Sequence, residues 1–299
     1  MPDSTRIGPR PSASLGTIWV IAREARTRVS RAGALQATCL VGSRKRFMAT
    51  SPRHLAPFVA TTPRMAQRYF VPSLPPPGPA TVTGDLAHHL GRVLRVLPGA
   101  PIVLGDGQGG TAPATVTGVG RTAVELAVET AVRRPRPPCV EVAFAPPRLS
   151  RAEWLFEHGT EVGITAFRPL WTARTRPQGE RPERWQRIVR AAAGQCDRDW
   201  LPEVHAGCEF ADLPRNHLPR CRFLASEGAP PLLQAKVPAD AVLLLVGPEG
   251  GFTDEEAAAA RAAGFEPRGL GPHTLRTETA ALVGAAILQS LINSSNHQH

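Results

Sequence analysis

Two stretches near the carboxyl end put glycines, an acid and a base where an apolar strand meets a helix. In "LLLVGPEGGFTDEE" (243–256) an aliphatic run stops at a loop holding Gly247, Pro248, Glu249, Gly250 and Gly251. In "GLGPHTLRTETAALVGAAIL" (269–288) Gly269 and Gly271 precede a polar loop with Arg276 and Glu278. Glycine loops between strand and helix commonly cradle phosphate. Here no lysine follows the glycines, as a phosphate loop would require, and Glu249 would repel an anion. Missing side chains let a flat group lie against bare backbone, although a tight turn with positive φ is the simpler use of the same glycines. Glu278, at a helix start, also suits the helix dipole without any ligand.

The elements that must position these loops are legible nearby. Leu243–Val246 reads as a central parallel strand covered on both faces. Thr253 and Glu256 stand three apart, the capping-box spacing, so a helix starts at Asp254 and ends at Gly264 as its C′ residue. Thr277 reads as the N-cap of a buried helix, apolar nearly all round. The two loops are expected to end adjacent strands. Upstream, strands are expected at Val140–Pro146, Ile164–Trp171, Cys221–Glu227, Ala241–Gly247 and Pro267–Gly271. Helices are expected near Arg151–Val162, Pro182–Cys196, Asp254–Ala263 and Glu278–Ile292. Such alternation implies an α/β domain with a mostly parallel sheet, placed at 139–293.

Before it, residues 65–135 carry short alternating segments bounded by Gly and Pro, the pattern of a small β-barrel. One helix, "DLAHHLGRVLRV", is expected with Leu86, Leu90, Val93 and Leu94 on one face. Gly105, Gly107 and Gly110 spell a dinucleotide fingerprint, but a strand follows instead of a helix, so a hairpin turn is the better reading. "RRPRPP" (133–138) links the two domains.

The formal charge of +10 does not by itself argue for nucleic acid. Eleven of the 35 Lys/Arg and two of the 25 Asp/Glu lie within residues 1–64, so that segment holds +9 of it. An Arg-rich, acid-poor leader has the composition of a mitochondrial or plastid transit peptide. The alternative, a disordered extension ahead of a start at Met65, is favoured because the compact pattern begins there. The five cysteines show no C-x-x-C pair and no zinc spacing, so free thiols and no metal are expected. No apolar run is long enough to span a membrane.

"GPEGGFTDEE" followed by "LGPHTLRTETAAL" closely resembles the SPOUT methyltransferases of the ribosomal-RNA small-subunit methyltransferase E type. "RYFV" with "GDGQGG" resembles that family's PUA-like, RNA-binding barrel. "EWLFEHGTEVGITAFRPLWTART" and "RWQRIVRAAAGQCDRDWLPEV" resemble its middle segments. The resemblance spans Arg68 to about Leu291. It implies a PUA-like barrel followed by a trefoil-knotted α/β domain, dimerisation through that domain, and S-adenosylmethionine as cofactor. It also implies methylation of N3 of one uridine in 16S rRNA of the 30S subunit, at position 1498 in the usual ribosomal numbering, in the cytoplasm.

Set beside that chemistry, the cofactor falls to Gly247, Pro248, Glu249, Gly250, Gly251, Leu270, Gly271, Leu275, Glu278 and Thr279. Uridine N3 holds a weakly acidic proton, so its anion needs stabilising by Arg198 or Arg276, and a carboxylate such as Asp199 or Glu203 would accept the proton. The family usually has Gly-Arg-Asn-Arg where this chain has Asp197-Arg198-Asp199-Trp200, in a segment presented near substrate. His158 and His273 replace a common lysine and arginine. Arg181, Arg184, Arg187 and Arg190 step along one helix face, by default a solvated one. Rival readings are a related enzyme acting on another rRNA or tRNA position, and an rRNA-binding assembly protein that has lost catalysis.

Overall fold

The computed structural model describes residues 66–296 except 177, 178, 180, 216, 217 and 239; the basic segment 1–64 lies outside the described residues. The first sheet uses β1 (Arg68–Phe70), β2 (Gly78–Thr83), β3 (Pro101–Gly105), β4 (Gly110–Val119), β5 (Ala123–Val128) and β6 (Val132–Arg133). Its order is β1-β3-β4-β5-β2, with β6 paired to β4. All pairings are antiparallel except β1 with β3. Alternate residues Ile102, Leu104, Ala112, Ala114, Val116, Val124 and Leu126 fill its interior, as period-two patterning requires.

The expected barrel helix forms only as α1 (Gly84–His88), which continues as a π-helical turn over His89–Val93. The extra residue per turn rotates the apolar stripe. Leu90 stays buried, but Val93 and Leu94 are 59% and 40% exposed, which corrects the single-face expectation. The glycine fingerprint is the β3–β4 hairpin. Asp106 Oδ1 accepts the N–H groups of Gln108 and Gly110, and Oδ2 meets Arg133 Nη2 at 2.7 Å. Burial raises the Asp106 pKa, but these donors and Arg133 outweigh it and hold the carboxyl below its ordinary range.

The second sheet contains β7 (Cys139–Phe144), β8 (Ala166–Trp171), β9 (Glu203–Val204), β10 (Cys208–Glu209), β11 (Cys221–Ala225), β12 (Ala241–Val246) and β13 (Glu266–Arg268). Every pairing in it is parallel, in the order β10-β8-β7-β12-β11-β13, with β9 beside β8. Helices α2 (Leu149–Val162), α3 (Pro182–Gln195) and α5 (Thr277–Asn296) cover one face, and α4 (Asp254–Ala262) lies on the other. Strand β12 shows why its sequence is continuously apolar. Val242, Leu244 and Val246 join the α2/α3/α5 core, while Leu243 and Leu245 join the α4 core.

Local signals set most boundaries. Thr253 Oγ1 accepts the Glu256 N–H and the Glu256 carboxylate accepts the Thr253 N–H, completing the capping box. At the other end of α4, Phe265 N–H bonds Ala260 C=O and Gly264 N–H bonds Arg261 C=O, with Gly264 at φ 84°. That is a Schellman close. Two expectations need correction. Thr277 is the first residue of α5, and its hydroxyl donates to the Gly247 carbonyl at 2.8 Å instead of capping the helix. The glycine loops do not end adjacent strands, because β11 lies between β12 and β13.

Candidate active site

The loop after β12 is fixed from four sides. Gly251, at φ 72°, closes a turn with its N–H on the Pro248 carbonyl at 2.8 Å. A side chain on Gly247 would meet the Phe252 ring at 2.9 Å, so the backbone lies directly on that ring. Arg174, from the connection after β8, donates to the Gly250 carbonyl, and Ala173 N–H meets the Glu256 carboxylate at 2.7 Å. The Thr277 hydroxyl ties α5 to Gly247.

The second loop is held against the chain that follows β11. Gly269 donates to the Pro230 carbonyl and accepts from the Leu232 N–H. A Cβ at Gly269 would sit 2.7 Å from the Ala229 carbonyl oxygen, an approach that backbone alone permits. The N–H groups of Leu270, Gly271 and Leu275 take no hydrogen-bond partner among the described residues.

Between the loops, at the carboxyl ends of β11, β12 and β13, lies a cavity of about 530 Å³. Open α/β sheets bind ligands at this edge. Gly247, Pro248, Glu249, Gly250, Gly251, Leu270, Gly271 and Leu275 line it; Glu278 and Thr279 do not. Leu224, Val246, Leu270 and Leu275 supply apolar wall, and Ser226, Glu227, Arg261 and His273 supply polar groups. Sequence reasoning missed Ser226 and Glu227 because the strand was expected but its place between β12 and β13 was not. The one available signal was an acid closing the strand-like "CRFLASE".

The two expected carboxylates are already engaged. Arg151, at the start of α2, meets Glu249 Oε1 at 2.6 Å and Glu278 Oε1 at 3.6 Å. Glu278 is 8% exposed, and its second oxygen has no partner among the described residues. Glu278 therefore serves the α2–α5 contact, while Glu249 reaches the cavity from an exposed position. Glu227 has no ion pair or hydrogen bond among the described residues.

Of the four candidate catalytic residues, three lie elsewhere in this chain. Arg198 Nη1 donates to the carbonyls of Thr160 and Ile164, closing the carboxyl end of α2. Burial pushes its guanidinium down from the ordinary value, against the pull of Cys196. Cations are favoured at a helix carboxyl end, which accounts for an arginine there without invoking uridine. Asp199 faces the barrel, 2.9 Å from Arg68 Nη1 and 3.1 Å from Arg134 Nε. Glu203 starts β9, in register with Ala166 and through it with Glu141 and Leu243. At ordinary strand spacings that is roughly 20 Å from Gly247. Arg276 alone stands beside the cavity, exposed between Leu275 and Thr277, its guanidinium with no hydrogen bond or ion pair among the described residues. Among the helical arginines, Arg184 is paired to Glu153, while Arg187 and Arg190 are exposed.

Comparison with known proteins gives a consistent set. The RNA methyltransferase domain matches residues 134–289, and the RNA methyltransferase PUA domain matches residues 82–129. The chain is 37% identical over 224 residues to the ribosomal RNA small subunit methyltransferase E of Synechocystis sp., covering 72% of this chain and 74% of that protein. A structure of the Neisseria gonorrhoeae ribosomal RNA small subunit methyltransferase E bound to S-adenosyl methionine superposes with a TM-score of 0.71 at 28% identity, over 76% of this chain and 98% of that one. A putative methyltransferase from Legionella pneumophila, in complex with the same cofactor, gives 0.68 at 28% identity over 75% and 97%.

Proposed function

Because the chain belongs to the ribosomal RNA small subunit methyltransferase E family, we propose that it transfers a methyl group from S-adenosylmethionine to N3 of a uridine in 16S rRNA. The observation that carries this reading is the cavity between the two glycine loops, with apolar walls and with Glu249 in the glycine turn where a phosphate loop would need a cation. Its size lies within the range of small-ligand pockets. The bare backbone at Gly247 and Gly269, and the unused N–H groups of Leu270, Gly271 and Leu275, suit a flat heteroaromatic ring.

Leu224, Leu270 and Leu275 make the slot for adenine, whose edge takes the free N–H groups. Glu227, an acid at a strand end facing a glycine loop, takes the ribose hydroxyls, as such acids do in other α/β nucleotide sites. Glu249, partly neutralised by Arg151, faces the positive end of the ligand. When bound, the cofactor supplies an electrophilic methyl group, and holding it in line with N3 accounts for much of the rate. The N3 proton passes to solvent, Arg276 at the cavity mouth stabilises the uridine anion left behind, and N3 takes the methyl group as S-adenosylhomocysteine leaves. A homodimer fits the same reading. Leu149 and Trp154 stay 37% and 39% exposed on α2 and offer apolar surface for a second copy. The cytoplasm, where small subunits assemble, is the proposed compartment. Among the described residues no helix is long and apolar enough to cross a membrane.

Labelled methyl transfer to 30S particles lacking the modification, followed by mass spectrometry of rRNA fragments, tests the proposal. N3-methyluridine at one site is expected; label at another nucleotide, or none, overturns it. Arg276→Ala should lower single-turnover methylation about 100-fold while cofactor affinity holds, and an unchanged rate would remove Arg276 from the mechanism.

A further inference from the structure

The β3–β4 hairpin that carries the glycine fingerprint packs against the chain after α3, and two of its glycines, Gly107 and Gly109, are sterically required there. Asp199-Trp200-Leu201, between α3 and β9, lies directly on the β3–β4 hairpin. Gly109 N–H donates to the Asp199 carbonyl at 3.0 Å, and Leu201 N–H donates to the Gly107 carbonyl at 2.9 Å. A Cβ at Gly107 would fall 2.6 Å from Leu201 Cδ1, and one at Gly109 would fall 2.5 Å from both Trp200 Nε1 and the Arg134 carbonyl. Trp200 Nε1 donates to that carbonyl at 3.2 Å, and the Arg136 guanidinium lies 5.8 Å above the Trp200 ring.

Charge closes the same junction. Asp199 is 16% exposed and faces two barrel-side arginines, Arg68 of β1 and Arg134 of the linker. Arg68 is 11% exposed and approaches Asp199 off the hydrogen-bonding direction, so the attraction is chiefly coulombic. Asp197 adopts a left-handed φ of 58°, which turns the chain off α3 toward the hairpin. Beside it Gly194 of α3 lies against the Arg68 carbonyl, leaving 2.6 Å where a Cβ would stand.

We propose that Asp199, with Arg68, Arg134 and the Gly107–Gly109 turn, is a clamp that sets the barrel's orientation relative to the cofactor cavity. Asp199 is thereby a positioning residue for rRNA recognition and takes no part in methyl transfer. The recognition half rests on the proposed rRNA methyltransferase activity; the clamp itself does not. A substrate gripped by one domain and modified by the other is sensitive to their relative angle, so loosening the junction weakens substrate binding before chemistry.

The test uses the full chain with Asp199→Asn, Asp199→Glu, Arg134→Gln and Gly109→Ala. S-adenosylmethionine affinity is expected to stay at the wild-type value in all four, and kcat within about twofold. KM for undermodified 30S is expected to rise about tenfold in Asp199→Asn and Gly109→Ala, less in Arg134→Gln, and to recover in Asp199→Glu. Amide exchange at Gly109 and Leu201 should accelerate in step. Unchanged exchange and unchanged KM in Asp199→Asn would overturn the clamp. A fall in kcat at constant KM would return Asp199 to the chemistry and overturn the positioning role. If the wild-type protein methylates no 30S rRNA, the proposed activity fails while amide exchange still decides the clamp.

Discussion

Arg151 shows how one side chain organises a site it does not line. It joins Glu249 on the first loop to Glu278 on α5, 98 residues along the chain in the first pair. Arg151→Ala would leave Glu278 buried with neither oxygen compensated, at about 2 kcal/mol of stability, and would free the Glu249 loop. A lower urea midpoint with weaker cofactor binding is the expected result; an unchanged midpoint would show that Glu278 finds another partner. Cys221 gives a pH prediction. Burial, then Glu266 and Asp240, push its thiol from 9.0 up to about 11. A folded-state pKa above the unfolded one adds stability at low pH that is lost as pH rises through it. The contribution is therefore complete below about 9 and disappears between 9 and 11. Stability measured across that window should fall less steeply in Cys221→Ser. Burial likewise raises the thiols of Cys139, Cys196 and Cys208, which are free as expected; Cys39 lies outside the described residues.

At the scale of elements, the helices and strands of the second domain were legible because each signal is local. The capping box needs only Thr253 and Glu256, and the α4 stop needs only Gly264. Two-residue strands such as β9 and β10 carry no period to detect. The π-helical turn after α1 was likewise invisible, since "HLGRV" fits an α-helix equally well. Gly269 belongs to this scale too, because its requirement comes from a neighbouring loop and not from its own φ. Gly269→Ala would drive a Cβ onto the Ala229 carbonyl, which is backbone and cannot swing aside. We expect a loss of about 2 kcal/mol and cofactor affinity down at least about tenfold. Calorimetric titration at wild-type affinity would show that the loops separate without harm.

Across the whole molecule, pairing decided what spacing could not. Strand β12 lies between β7, about a hundred residues earlier, and β11, while β13 passes to the far side of β11. That order brings Ser226 and Glu227 into the cavity and carries Glu203 far from it. The same packing takes Arg198 to the end of α2 and Asp199 to the barrel, so "DRDW" serves junctions where substrate contact was expected. The sequence alone determined the two-domain order, the parallel α/β class, the capped helices, the glycine loops and the family resemblance. Each of these rests on short-range steric and hydrogen-bonding rules, or on motifs contiguous in the chain. Only the tertiary structure decided which acids face the cavity, which arginines are neutralised, and why a hairpin carries glycines. Those outcomes depend on desolvation and close approach between segments that meet only after folding.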